Sequence, residues 1–493
     1  MTTLSSQTLA QVASGIARPT YDLRQVRIGI VHLGLGAFHR AHQAEIVDTM
    51  LARDPQWGIC GVSLKTPTSK DLLAPQDGLY TFLKKSAQGT SARVIGSVRE
   101  LMFLGSDRAA LMARFADPGV RIVSLTVTEK GYCHDPATGQ LNLAHPEIVH
   151  DLAHPDRAIS APGLLVAGLA ARRAARGGGI TVLCCDNLPH NGRIVEAIVL
   201  AFARAHDASL AQWISTHVTF PCTMVDRIVP ATTERDIDEA SALIGMRDNA
   251  PVVCEPYFQW VMEDRFAGGR PSWEDAGVQF ADDVVPFERM KLRFLNGSHS
   301  TLAYLGYLAG HEYIWQACSD PDLGLLVERL MAEEIAPTVP PPPGIDLTDY
   351  RNQLLTRFRN PVLPHRTQQI AMDGSQKLPQ RLLDTVRERL SSEQSIAHLA
   401  LAIAGWIRYA TGVDEKGNAI NVADPLSAQF KEITLRAQGD IPRLASGFLA
   451  LTPVFGDELG KHLRFRALVT ANVVSLFGKG VRATLQAHLA MHR

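Results

Sequence analysis

The sequence predicts an α/β domain with a mainly parallel sheet, followed by a mainly α-helical domain. Three observations carry this. Apolar strand-like runs alternate with helical patterns through residues 1–284. A glycine-bearing turn joins the first run to the first helix. After residue 285 the strand-like runs stop and long helical patterns take over. The chain has 493 residues and 46% hydrophobic content. That is more than one core uses, so two domains are expected, 1–284 and 285–493.

The strand-like runs lie at 27–33, 58–64, 120–127 and 180–185. Each is almost continuously apolar, as a strand buried on both faces must be. Helices are expected at 41–52 and 163–176, the second closed by Gly177, Gly178 and Gly179, which can supply left-handed capping geometry. In the second half, helical patterns cover 287–309, 322–334, 378–390, 396–411 and 467–488. The proline run at 340–343, with Gly344 after it, reads as a stiff surface loop.

Composition removes several functions. Charged residues make up 20% and the formal net charge is −1, so no basic surplus exists to hold nucleic acid. The first residues lack a basic segment followed by an apolar run, and the most apolar helical stretch, 396–410, is short and carries His398 and Arg408. No membrane partner is expected, and the expected location is the cytoplasm. The seven cysteines have no metal-ligand spacing and read as free thiols. No Cys/His/Glu group is spaced like a zinc site, so no metal is expected.

Gly34-Leu35-Gly36-Ala37-Phe38-His39 follows the first strand and opens a helix. Gly34 permits a tight turn, and Gly36 lets backbone N–H groups approach a pyrophosphate at a helix N-terminus. His39 stands where a third glycine usually sits. An ordinary strand-to-helix turn is the other reading. The second strand ends Ser63-Leu64-Lys65, without the acidic residue that binds a ribose 2′-hydroxyl. NAD and NADP therefore both stay open.

Helical spacing at about 100° per residue sets Lys291 at 0°, His299 near 80° and Asn296 near 140°. Alcohol oxidation by hydride transfer needs a base for the hydroxyl proton, which a partly buried lysine supplies. A carboxamide stabilises a developing alkoxide, and a histidine orients substrate oxygens. On periodicity alone, a solvated lysine, a helix-interior asparagine and a core histidine are the favoured reading. Asn187 ends the fourth strand, where ligands of open α/β sheets bind, or it is an Asx-turn residue.

Five blocks in order, GLGAFHRAHQ at 34–43, SLTVTEKGY at 124–132, CDNLPHNG at 185–192, FPCTMVDRIVP at 220–230 and KLRFLNGSHS at 291–300, resemble the polyol-specific long-chain dehydrogenases. The resemblance covers nearly the whole chain. It implies a Rossmann-like N-terminal dinucleotide-binding domain, a helical C-terminal substrate-binding domain and a metal-free site. It implies a cofactor, NAD or NADP, held by Gly34, Gly36, Ala37, Phe38, His39 and Glu129. It implies Lys291 as general acid/base, Asn187 and Asn296 as the pair that holds the reacting oxygen, and His299 as a substrate-positioning residue. Glu288 is implied to help proton exchange with solvent, and Val225, Asp226 and Lys377 to touch substrate.

The stretch HRTQQIAMDGSQKLPQ at 365–380, with VDEKGNAI at 413–420, is most similar to the uronate-reducing branch of that family, the fructuronate reductases. Mannitol-specific members tend to carry Arg where Gln369 stands; here Arg366 lies three residues earlier. A uronate brings a carboxylate, which Arg366 or Lys377 is expected to bind. A surface arginine on a connecting loop is the other reading of Arg366. The expected reaction is interconversion of D-mannonate and D-fructuronate. A mannitol, arabinitol or sorbitol oxidoreductase is the alternative within the family, and a nucleotide-binding protein without turnover the alternative outside it. The expected partner is a small sugar acid or polyol, and the expected assembly a monomer or small homo-oligomer.

Overall fold

The computed structural model describes residues 2–135, 138–362 and 364–492. The chain divides into two units, Met1–Val285 and Pro286–Arg493. Along the first unit run β1 (Ile28–Leu33), β2 (Gly58–Ser63), β3 (Tyr80–Ser86), β4 (Gly89–Ile95), β5 (Val98–Phe103) and β6 (Ile122–Leu125). They are followed by β7 (Ile180–Cys184), β8 (Val218–Thr219), β9 (Thr223–Asp226), β10 (Val252–Cys254), β11 (Gln259–Met262) and β12 (Gln279–Phe280).

The main sheet has the order β5-β2-β1-β6-β7-β8, with every neighbouring pair parallel. Its central strands are buried at every position, which explains their unbroken apolar character. The chain builds outward from β1 to β2 and β5, then returns to the other side for β6, β7 and β8. Ligands of such sheets bind where that order reverses, here beyond the carboxyl ends of β1 and β6. The expected Rossmann-like sheet is therefore present.

Local differences from the sequence reading have identifiable causes. β6 stops at Leu125 because the Asp186 carboxylate draws away the N–H groups of Val127 and Thr128. The first helix starts at Ala37, earlier than expected, and breaks at His42 (φ −127°, ψ −94°) into Ala37–Ala41 and Gln43–Met50. Helix Ala161–Ala174 is capped by the Ser160 hydroxyl, which accepts the Gly163 N–H at 3.1 Å. After it, the first left-handed residue is Arg176 (φ 56°), not the expected glycine run. That run instead presents carbonyls to the buried Arg172 guanidinium, at 2.7–3.1 Å for Gly177, Gly178 and Gly179. Two smaller sheets escaped the sequence reading: β10-β3-β4, built on the β3–β4 hairpin, and β12-β11-β9.

The second unit is helical, with no strand beyond isolated bridges among the described residues. Helix Ala397–Ala410 is buried at every position and forms its centre. Trp406 on that helix meets Phe430 and Phe448 edge-on, at 5.6 and 5.8 Å between rings. The expected helix at 467–488 is observed as Leu463–Met491, bent at Gly480 (φ 76°). The proline run is a loop in which Pro340, Pro341 and Pro343 are exposed. The expected helix at 287–309 is continuous but not uniform. It is α over Val285–Met290, π over Lys291–Gly297 and α over Ser298–Leu308. No helix among the described residues is long and apolar enough to cross a membrane.

Candidate active site

The nucleotide-binding features of the first unit begin where β1 ends. Gly34 turns the chain with φ 99°, and a Cβ there would stand 2.2 Å from the Thr126 carbonyl oxygen. Only glycine fits that turn. Gly36 caps helix Ala37–Ala41, and a Cβ on it would find no atom closer than 3.8 Å, that of the Gly34 carbonyl. The first glycine is therefore required by the fold. The second keeps a space open at the switch point, which fits a dinucleotide pyrophosphate. His39 fills the third-glycine position by stacking on His32 of β1, with ring centroids 3.4 Å apart. Burial drives the His39 pKa well down, and the neighbouring His32 adds to this. His32 is held in place by Ser124 Oγ at 2.8 Å and Thr126 Oγ1 at 2.9 Å. Ala37 and Phe38 follow the cap within the same short helix. Lys65 is exposed beyond the end of β2.

The ends of β6 and β7 are tied together by residues that the sequence reading did not single out. The Asp186 carboxylate accepts the N–H groups of Val127 at 2.9 Å and Thr128 at 3.1 Å, and the Tyr132 hydroxyl at 2.7 Å. Desolvation raises its pKa to about 6, against the pull of those hydrogen bonds. The loop it holds carries Thr128 at φ 67°, ψ 161°, a region that belongs to glycine. Glu129 follows directly. Asn187, next to Asp186, is exposed beyond β7. The Asn191 side chain is buried and donates to the carbonyls of Cys184 at 3.2 Å and Thr223 at 3.0 Å, while accepting the Thr223 N–H at 2.9 Å. It thereby ties the Asn187 loop to β9, on which Val225 and Asp226 are buried. Asn and Asp in a strand-end loop were visible in the sequence, but the partners that distinguish them were not.

In the second unit the structure brings Glu288, Lys291, Asn296 and His299 onto one helix, all buried; Lys291 is 6% exposed. The π segment changes their arrangement. With i→i+5 hydrogen bonding a turn holds more than four residues, so Asn296 stands closer round to Lys291 than the about 140° of α-helical spacing. The Asn296 Nδ2 and His299 Nε2 atoms are buried with no hydrogen-bond partner, as expected of groups kept for a substrate. His299 stacks on Phe358 at 5.1 Å and lies 5.2 Å from the His365 ring. Desolvation holds His299 well below its ordinary pKa, and His365, Arg381, Arg357 and Lys377 push it further the same way. Lys377, at the end of helix Gly374–Leu378, reaches the Ile370 carbonyl at 3.4 Å.

Arg366 stands differently. It is 58% exposed in its side chain, ion-paired with Glu312, and lies over the Tyr313 ring at 5.4 Å. Gln369 is also exposed. All seven cysteines are buried and outside any disulfide. The ligand atoms of Cys133, His145 and Glu147 lie within 4.8 Å of one another. The Asn142 N–H reaches the Cys133 carbonyl at 3.0 Å, which brings the chain ahead of His145 back to Cys133.

Two family models match the chain: the mannitol dehydrogenase Rossmann domain over residues 28–275 and the mannitol dehydrogenase C-terminal domain over 283–477. D-mannonate oxidoreductase of Escherichia coli K12 is 48% identical over 477 residues, covering 96% of this chain and 98% of that protein. Mannitol 2-dehydrogenase of Phaeosphaeria nodorum is 40% identical, covering 98% of this chain and 85% of that protein. Among solved structures, Pseudomonas fluorescens mannitol 2-dehydrogenase in ternary complex with NAD and D-mannitol superposes with a TM-score of 0.93 at 39% identity. That match covers 99% of each chain.

Proposed function

The chain belongs to the mannitol dehydrogenase family, an oxidoreductase family, and from that premise we propose that it interconverts D-fructuronate and D-mannonate with NAD(H). The observation that carries the reading is the buried run of Lys291, Asn296 and His299, with polar atoms of Asn296 and His299 left for a substrate. The 48% identity to a D-mannonate oxidoreductase supports the sugar acid as substrate, and the NAD in the mannitol 2-dehydrogenase complex supports the cofactor. Exposed Lys65, with no acid at the tip of β2, keeps NADP within reach of the same fold.

When bound, the nicotinamide donates or accepts the hydride. The protein residues handle the proton and the oxygen. In reduction, the Lys291 ammonium gives its proton to the carbonyl oxygen as the carbon gains hydride. In oxidation, the neutral Lys291 amine takes the hydroxyl proton. Asn296 and Asn187 are the carboxamide donors to the charge that develops on that oxygen. His299, kept neutral by burial, donates or accepts a hydrogen bond at a neighbouring substrate hydroxyl. Glu288, three residues before Lys291 on the same helix, passes the proton onward to solvent. Val225, Asp226 and Lys377 contact the sugar chain. This scheme needs no metal.

A second reading, a mannitol or other polyol dehydrogenase, is favoured by the 0.93 TM-score to the mannitol enzyme. One panel separates the two: D-fructuronate, D-fructose, D-mannonate, D-mannitol and D-arabinitol with each cofactor, followed by absorbance of the reduced nicotinamide. The uronate reading requires the highest kcat/KM on D-fructuronate. A higher value on D-fructose refutes it.

A further inference from the structure

We propose that Arg381 and His365 form the subsite that takes the substrate carboxylate, in place of the exposed Arg366. This rests on the fructuronate reading above. Arg381 lies on the π segment Pro379–Leu383, and its Nη1 donates to the Ser300 hydroxyl at 3.1 Å. Ser300 is fully buried and directly follows His299. The two π segments touch backbone to backbone: a Cβ on Gly297 would stand 2.7 Å from the Arg381 carbonyl oxygen. The guanidinium therefore starts from a backbone held against the helix that carries Lys291. Ser300 stands nine residues after Lys291, at most about 13 Å along the axis. Two long side chains and an extended six-carbon acid between them fill that span.

His365 comes from the loop before helix Thr367–Ala371 and puts its ring 5.2 Å from His299. Its Nδ1 has no hydrogen-bond partner. Burial lowers its pKa to about 4, so at neutral pH the ring is uncharged and carries one N–H for a carboxylate oxygen. The charged side chains that act on His299 are Arg381, Arg357 and Lys377, all cationic. A sugar acid brings the opposite charge to this group, and a neutral polyol does not. Arginine suits the task because its planar fork matches a carboxylate with two parallel hydrogen bonds. Arg366 is already ion-paired with Glu312 through its Nη1 at the surface.

The test uses the full chain and two ketone substrates that differ in the carboxylate, D-fructuronate and D-fructose, with NADH. Arg381→Met is expected to raise the fructuronate KM by about 100-fold, the loss of a bidentate charged pair. Its effect on fructose kcat/KM is expected to be at least tenfold smaller. Arg381→Lys should recover part of the loss, and His365→Phe should act in the same direction with a smaller effect. Ser300→Ala keeps the guanidinium but removes its anchor, so it should raise the fructuronate KM several-fold even if Arg381→Met folds poorly. Equal losses on both ketones, or an Arg366→Met effect larger than that of Arg381→Met, overturn the subsite. Failure of the parent reading is distinct: unmodified protein that reduces fructose and ignores fructuronate shows it before any variant is made.

Discussion

Replacing Asp186 with asparagine tests whether this one carboxylate holds the loop between β6 and the Glu129 turn. Its three hydrogen bonds come from two backbone N–H groups and the Tyr132 hydroxyl. Its folded-state pKa is raised from the ordinary 3.8 to about 6, because desolvation outweighs those bonds. The sign follows from proton binding. Between those two values the folded protein holds a proton that the unfolded chain has lost. The stabilising contribution of the neutral group is complete below pH 4 and is lost as pH rises through 6. At about 1.4 kcal/mol per pH unit, the loss is about 3 kcal/mol.

Asparagine carries no charge, so Asp186→Asn should lack this slope. It also presents one acceptor atom instead of two, which leaves one donor unpaired at a cost of about 1–3 kcal/mol. The variant should therefore be less stable than the parent at pH 4.5 and close to it at pH 7. Urea unfolding followed by circular dichroism at pH 4.5, 5.5 and 7 measures the difference. Glu334, which burial raises to about 7, titrates in both proteins and cancels. Function supplies a second readout: Thr128 at φ 67° stores strain that the carboxylate maintains, so the variant should show a raised NADH KM with a smaller change in kcat. Parallel loss of stability with pH in parent and variant would refute the argument.

The remaining predictions use simpler perturbations. Lys291→Met should lower kcat by about 10²–10⁴-fold at neutral pH while NADH binding, followed by fluorescence quenching, stays within about threefold; weakened NADH binding of the same size would point to a structural role. Gly36→Val has room for its Cβ, so the melting temperature should hold while NADH affinity drops at least about tenfold. Gly34→Ala meets both a positive φ and the Thr126 carbonyl, and should lower stability by more than about 1 kcal/mol in denaturant titration. Dialysis against EDTA should leave turnover intact. A loss restored by zinc would end the metal-free scheme and direct attention to Cys133, His145 and Glu147.

What the sequence disclosed and what it withheld divide along physical lines. The four central strands were legible because burial on both faces demands unbroken apolar runs, as in β1 and β7. Gly34 and Gly36 were legible because a turn with positive φ and an open helix N-terminus each need a missing Cβ. The β3–β4 hairpin was not, since β4 (GTSARVI) is half exposed and carries little hydrophobic signal. Asp186 and Asn191 entered only as members of the block CDNLPHNG at 185–192. Their importance lies in partners 32 to 59 residues away in sequence, which no local pattern encodes. Cys133, His145 and Glu147 come together without any metal-ligand spacing in the sequence.

The helix that carries Lys291 shows the limit most clearly. Its apolar pattern announces a helix, and α-helical spacing then sets Asn296 far round from Lys291. That geometry puts Lys291, His299 and Asn296 on one wide arc, with Asn296 at its far edge. The observed π segment narrows that angle: more residues per turn bring Asn296 closer round to Lys291 without interrupting the helix. Such a turn has weaker intrinsic geometry and persists only where tertiary contacts support it. Here the support is visible at Gly297, whose missing Cβ admits the Arg381 carbonyl of a second π segment. A side chain at 297 would push the two segments apart and remove the contact that holds the widened turn. Gly297→Ala should therefore damage kcat through Asn296 and Lys291 together, and raise the fructuronate KM through Arg381, although residue 297 touches no substrate. If kcat and KM both stay within about twofold of the parent, the widened turn does not depend on this contact, and the pairing of Lys291 with Asn296 needs another cause.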